Sequence, residues 1–108
     1  MKLGINIDHI ATLRNARKGL EPDVLTGMYT AIEAGCDSIV CHLRMDRRHI
    51  TDEDAYLIRK NVTVPMNLEA SLEDEIIAIA LDIVPEIITL VPEKREEVTT
   101  EGGLSVEK

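Results

Sequence analysis

Apolar and polar positions alternate at the start of the chain. Ile5 and Ile7 are interleaved with Asn6 and Asp8, a two-residue period that turns two isoleucines to one face of an extended segment and two polar groups to the other. A first strand is therefore predicted over Lys2–Ile7. The pattern then lapses, and the stretch from Ala11 to Pro22 is expected as a long connection of the kind usually kept for function. Helical spacing resumes at Val24, Met28, Ala31 and Ile32, with Pro22 and Asp23 suited to a helix start and Gly35 to its stop.

The same alternation of periods recurs twice. A second strand is expected over Ser38–Leu43, with His42 and Arg44 on one face. The connection MDRRHI leads to Thr51 and Asp54, which match a capping box, and to a helix through Ala55, Leu57 and Ile58 to about Lys60. A third strand is expected over Val64–Glu69, with Asn67 and Glu69 sharing a face. Ser71 and Asp74 repeat the capping signature before a helix marked by Ile76, Ile77, Ala80, Leu81 and Ile83; Pro85 ends it, and Ile87–Val91 reads as a fourth strand.

Strands alternating with helices imply right-handed crossovers and a parallel sheet. An open doubly wound sheet would carry a glycine-rich phosphate turn after its first strand, and the sequence has none there. Polar residues at the C-terminal ends of three successive strands favour a TIM-type β/α barrel, where those ends build one site. The expected fold is thus α/β, the N-terminal half of one parallel β/α barrel domain covering 1–108, with four strands and three helices. A complete barrel needs roughly 250 residues, so the chain reads as a truncated piece, cut after the loop that follows the fourth strand.

Composition sharpens this picture. Hydrophobic residues make up 44% of the chain but aromatics only 2%, with no Phe or Trp, so the core must be aliphatic, as buried parallel strands require. The net charge of -8, from 20 acidic and 12 basic residues, argues against nucleic acid or an anionic membrane as partner. The basic residues nonetheless gather after the strands: Arg14, Arg17 and Lys18, then Arg44, Arg47 and Arg48, then Lys94 and Arg95. A locally basic site on an acidic body suits small phosphate esters. Cys36 and Cys41 lack CxxC spacing and read as reduced packing residues. With no membrane-length apolar run and no signal-like N-terminus, a cytoplasmic location is expected.

Four motifs in order, NIDHIATLRNAR, HLRMDRRHI, MNLE and LVPEKREEVTTEGG, resemble the pyridoxine 5′-phosphate synthase family over essentially the whole chain. Met45 departs from it, standing where an acidic residue is common. The resemblance implies an enzyme that condenses 1-deoxy-D-xylulose 5-phosphate with 3-amino-2-oxopropyl phosphate, closing a pyridine ring and releasing phosphate and water. It implies no metal or redox cofactor, and a homo-octamer built from dimers when full length. By matching motif positions, Asn6 and Arg17 would hold the amino-oxopropyl phosphate, and Asp8, His9, Arg44, His49 and Thr99 the deoxyxylulose phosphate. His42 and Glu69 would be the catalytic, proton-transferring residues.

Simple chemistry is consistent with those roles. Imine formation, water loss and ring closure need repeated proton moves, for which His42 titrates in a useful range and Glu69 would if desolvated. Arg17 and Arg44 suit phosphate, and Thr99 with Gly102 and Gly103 could close over a site as part of a lid. Plainer readings stand beside these. Asn6 and Asp8 could satisfy barrel backbone, and Glu69 could cap a helix or pair with Arg44. His9, His42, His49 and Glu69 could form a metal site, although no HxH or HExxH is present. A non-catalytic phosphate-ester-binding half-barrel or assembly module is the rival from outside the enzymes. Arg47, Arg48, Lys94 and Arg95 are expected as solvated or interface charges.

Overall fold

In the computed structural model, which describes residues 1–93, the elements run β1 (Gly4–Asn6), α1 (Asp8–Ala16), α2 (Val24–Glu33), β2 (Ser38–His42), α3 (Asp52–Asn61), β3 (Met66–Ala70), α4 (Asp74–Ile83) and β4 (Ile87–Leu90). The four strands form one sheet in the order β1-β2-β3-β4, and every pair is parallel. Register divides the sheet into two faces. Ile5, Ile39 and Met66 align across it, as do Cys41, Leu68 and Ile88, and these residues make the face the helices cover. Ile39, Cys41, Met66 and Leu68 are fully buried there, with Met28, Ile58 and Ile76 from α2, α3 and α4 packed in the same core. Complete burial of each large aliphatic side chain contributes about 2 kcal/mol, which is how the chain builds a core without aromatics.

The opposite face carries Asn6, Val40, His42, Asn67, Glu69 and Thr89, and no helix lies over it among the described residues. The polar strand positions are therefore collected on one surface. The aligned pair His42 and Glu69 sits at the C-terminal end of β2 and β3.

Three details correct the sequence-based expectation. The described residues form four helices, not three, because Asp8–Ala16 is helical where a long connection was expected from Ala11. The local pattern gives α1 little support: its N-cap Ile7 makes no side-chain cap, and only Asp8 and Ala11 are buried. Contacts made far along the chain hold it instead. Arg14 Nη1 and Nη2 donate to Asp54 of α3, each at 2.7 Å, and Asn15 Nδ2 donates to the His49 carbonyl at 2.9 Å. Gly27 lets α1 and α2 approach, since a Cβ there would collide with the Ile10 side chain.

The second correction is at α4. The capping box expected from Ser71 and Asp74 does not form; Glu73 is the N-cap without a side-chain bond, while Ser71 Oγ accepts from the Glu73 amide at 3.4 Å. The box at Thr51 and Asp54 does form, with both reciprocal bonds present. The third concerns β3, which starts at Met66 rather than Val64.

Val84 ends α4 in the left-handed region, at φ 53°. A β-branched residue there is strained by about 1–2 kcal/mol, and the side chain is exposed, so little packing offsets that cost. Val84→Gly is expected to raise unfolding free energy by about 0.5–1 kcal/mol, measured by urea denaturation; a decrease would show that Val84 has a packing role.

Candidate functional site

The site begins where β1 gives way to α1. Asp8 opens the helix, and its carboxylate turns back to the sheet. Oδ1 accepts the His42 backbone N–H at 2.7 Å, and Oδ2 accepts from Asn6 Nδ2 at 3.1 Å; Asn6 Oδ1 accepts the Asp8 N–H at 2.8 Å. This exchange joins the first polar strand end to the second. Both Asp8 and His42 are buried, so these bonds satisfy groups that would otherwise be costly to desolvate.

Glu69 completes the cluster from β3. One ligand-type atom from each of Asp8, His42 and Glu69 lies within 4.8 Å of the others. Burial pushes the half-buried Glu69 carboxyl above its ordinary value; the His42 charge opposes that shift and the Asp8 charge adds to it. A carboxyl raised in this way beside an imidazole is a candidate for proton exchange. The alternatives kept for Glu69 do not occur, because Arg44 pairs with Asp46 at 3.1 Å and the N-cap of α4 is Glu73. The three donor types could also hold a cation, but Asp8 already has both oxygens engaged by N–H donors.

The connection after β2 forms the second wall. Arg44 is buried, with Nε donating to Asp46. Burial pushes Asp46 up, but hydrogen bonds from Arg44 and Arg48 outweigh it and bring its carboxyl to about 2. Arg47 adopts a left-handed backbone, φ 53°, and reaches Asp52 and Glu75. Arg47 and Arg48 are thus spent in ion pairs that shape the loop, as surface charges rather than chemistry. His49 shares a short 2.6 Å contact between Nδ1 and Thr12 Oγ1 of α1. Burial pulls its imidazole below the usual histidine range, with Asp8 opposing and His9 reinforcing the shift.

The structure thus brings Asn6, Asp8, His42 and Glu69 together, with Arg44 on the adjoining loop. His9 is exposed, and its ring meets that of His49 edge-on, 5.6 Å between centroids. The three histidines consequently do not share one cluster: His42 joins the acids, while His9 and His49 pair beside it. Arg17 is exposed at the C-cap of α1, about 14 Å along the helix axis from Asp8, so it is not brought to the cluster. Thr99 lies outside the described residues, as do Lys94 and Arg95.

Glu93 is the residue that sequence reasoning passed over. It lies just beyond β4, and its Oε2 is 2.7 Å from His42 Nε2, with both side chains under a tenth exposed. Its other oxygen, Oε1, accepts the Met45 N–H at 2.9 Å. The available signal was its spacing: Thr89, Val91 and Glu93 recur at the strand period, which continues the polar face of β4.

Cys36 and Cys41 are free and buried, and burial pushes the Cys41 thiol far above its ordinary value, leaving it a packing group. Among the described residues no helix is long and apolar enough to cross a membrane. A cleft of about 400 Å³ beside β1 is lined by Leu3, Ile5, Ile10, Ala31 and Cys36; it opens on the helix side of the sheet, away from Asn6 and Asp8.

Parallel α/β architecture with its polar groups collected at successive strand ends defines a class of protein whose chemistry sits at the C-terminal edge of the sheet. The chain belongs to the family described as pyridoxal phosphate biosynthesis protein PdxJ, whose model matches residues 3–108. It is 58% identical over 106 residues to a pyridoxine 5′-phosphate synthase of Hydrogenobaculum sp. (strain Y04AAS1), an alignment covering 98% of this chain and 44% of that protein. Similar relatives with the same name come from Sulfurimonas denitrificans, 58% identical over 98% of this chain and 41% of the relative, and Chlorobium phaeovibrioides, 56% identical over 100% and 46%. The chain thus spans less than half the length of these relatives.

Proposed function

We propose that this chain supplies the first half of a TIM-type β/α barrel that acts as a pyridoxine 5′-phosphate synthase, condensing 1-deoxy-D-xylulose 5-phosphate with 3-amino-2-oxopropyl phosphate. The observation that carries the reading is the convergence of Asp8, His42 and Glu69 at the strand ends, ligand-type atoms within 4.8 Å of one another. Eight strands would close the sheet that here has β1 and β4 as open edges. The domain then continues beyond residue 108, and the uncovered polar face becomes the barrel interior.

In this reading His42 and Glu69 move the protons required for imine formation, dehydration and ring closure. Their difference in environment suits a division of labour, because Glu69 is held up by burial while His42 is fixed through its backbone by Asp8. Asp8 and Asn6 orient one another at the β1 end, with Asn6 directed to the amino-oxopropyl phosphate and Asp8, His9 and His49 to the deoxyxylulose phosphate. Arg44 supplies positive charge for that ester, and Arg17 and Thr99 are the further phosphate contacts of this reading. The assembly is a homo-octamer built from dimers, and the location is the cytoplasm. No metal or organic cofactor takes part.

The test is an assay of full-length protein carrying this sequence, with both phosphate esters supplied and pyridoxine 5′-phosphate and inorganic phosphate measured together. Equal amounts of both products are expected, unaffected by a chelator. Tight binding of either ester without turnover would favour a phosphate-ester-binding module instead, and activity lost to chelation and restored by zinc would favour a metal site built on the same acids.

A further inference from the structure

We propose that Glu93 is a positioning residue that fixes the tautomer of His42, leaving Nδ1 as the nitrogen through which His42 exchanges protons with substrate. The proposal rests on the synthase reading for its purpose, but its physical content is independent of it. A carboxylate can only accept hydrogen bonds, so a 2.7 Å contact between Glu93 Oε2 and His42 Nε2 places a proton on Nε2. In the neutral ring the lone pair is then on Nδ1. Among the described residues Nδ1 makes no hydrogen bond, while every other anchor of this residue is occupied: the backbone N–H by Asp8 Oδ1, and Nε2 by Glu93.

Glu93 is itself held. Oε1 accepts the Met45 N–H, so the carboxylate is tied to the loop after β2 as well as to the ring at its end. Its side chain and that of His42 are 9% and 8% exposed, so water competes little for either atom. A buried carboxylate aimed at the far nitrogen of a histidine sets ring orientation and tautomer, and stabilises the imidazolium that forms when Nδ1 takes a proton. The proton leaves the substrate carbon or nitrogen for Nδ1 and returns from Nδ1 to the departing hydroxyl as water forms. Glu93 keeps its own charge throughout and touches neither substrate.

The experiment uses full-length protein labelled with ¹⁵N-histidine. Long-range ¹H–¹⁵N spectra are recorded for wild type, Glu93→Gln and Glu93→Asp, with His42 assigned by the signals lost in His42→Asn. Wild type is expected to show His42 protonated on Nε2 when neutral. Glu93→Gln keeps the side-chain volume and an oxygen for the Met45 N–H, yet should move the His42 signals toward a mixture of tautomers. In the same variant kcat should fall about 10- to 100-fold while KM for each ester stays within about twofold, a split that a general loss of structure does not produce. Glu93→Asp should restore the Nε2-protonated form in part, and kcat with it.

A wild-type ring protonated on Nδ1, or a tautomer unchanged by Glu93→Gln, overturns the proposal whatever happens to kcat. The spectra need no substrate, so they decide the role of Glu93 even if neither phosphate ester proves to be turned over. That second result would remove the synthase reading alone.

Discussion

Glu69→Gln in the full-length protein is expected to lower kcat for pyridoxine 5′-phosphate formation about 10³-fold, roughly 4 kcal/mol of barrier, with a much smaller change in KM. Glutamine fills the same volume at the end of β3 and removes only the ability to gain and lose a proton. The raised Glu69 carboxyl is the reason for expecting so large an effect, because burial moves it toward the range where proton transfer in both directions is fast. The same shift predicts a gain in stability. A carboxyl whose folded value lies above its unfolded one favours the fold at low pH, and that contribution is lost as pH rises through the folded value. Glu69→Gln does not titrate, so its stability should exceed that of wild type by more at pH 7 than at pH 4, as read from urea midpoints. Turnover within threefold of wild type, or stability curves that stay parallel, would remove Glu69 from the chemistry.

Asp54→Ala is expected to cost about 3–4 kcal/mol of stability. One carboxylate performs two tasks there. It accepts the Thr51 N–H at 2.9 Å in the capping box of α3, a contribution of about 1 kcal/mol, and it takes both Arg14 nitrogens at 2.7 Å each. Alanine leaves a guanidinium only 15% exposed without its partner, which adds about 2–3 kcal/mol. Since Arg14 is the main tether of α1, that helix should also lose protection from hydrogen exchange, and with it the seat of Asp8 and Thr12.

A second substitution separates the two tasks. Arg14→Leu combined with Asp54→Ala should recover part of the loss, because no buried charge is then left unpaired. The pH dependence has a defined sign: burial pushes the Asp54 carboxyl up, but Arg14 and Thr51 hold it below the ordinary carboxylate value. Its contribution is present above that ordinary value and is lost as pH falls through the depressed one, so the acid limb of the stability curve should be shallower in Asp54→Ala. A loss under 1 kcal/mol by urea denaturation would mean that α1 is held by something other than this pair.

Elements with strong local signals were legible one by one. Asp23 caps α2 through the Leu25 amide, Thr51 and Asp54 close their box, and the period-two pattern put His42 on one face of β2 and Asn67 and Glu69 on one face of β3. Helix α1 was not legible, because its stability comes from Asp54, 40 positions beyond Arg14, and from the His49 carbonyl, 34 beyond Asn15. The box at Ser71 was over-read, since a cap motif fixes spacing but not which residue leaves the helical conformation first. Glu93 was passed over for a similar reason. Its spacing marks it as polar-faced, but only the position of the loop after β2 shows that it meets His42.

The sequence by itself determined the succession of strands and helices, the aliphatic core, the parallel sheet and which strand faces are polar, because each follows from the side-chain period and from short-range capping. Tertiary structure alone decided that Asp8 anchors the His42 backbone, that Glu69 is desolvated beside it, that Arg44 turns to Asp46 and that Glu93 closes on the His42 ring. These depend on distances between segments dozens of residues apart, fixed when the sheet register brings strand ends together, and no local pattern encodes that register one pair at a time.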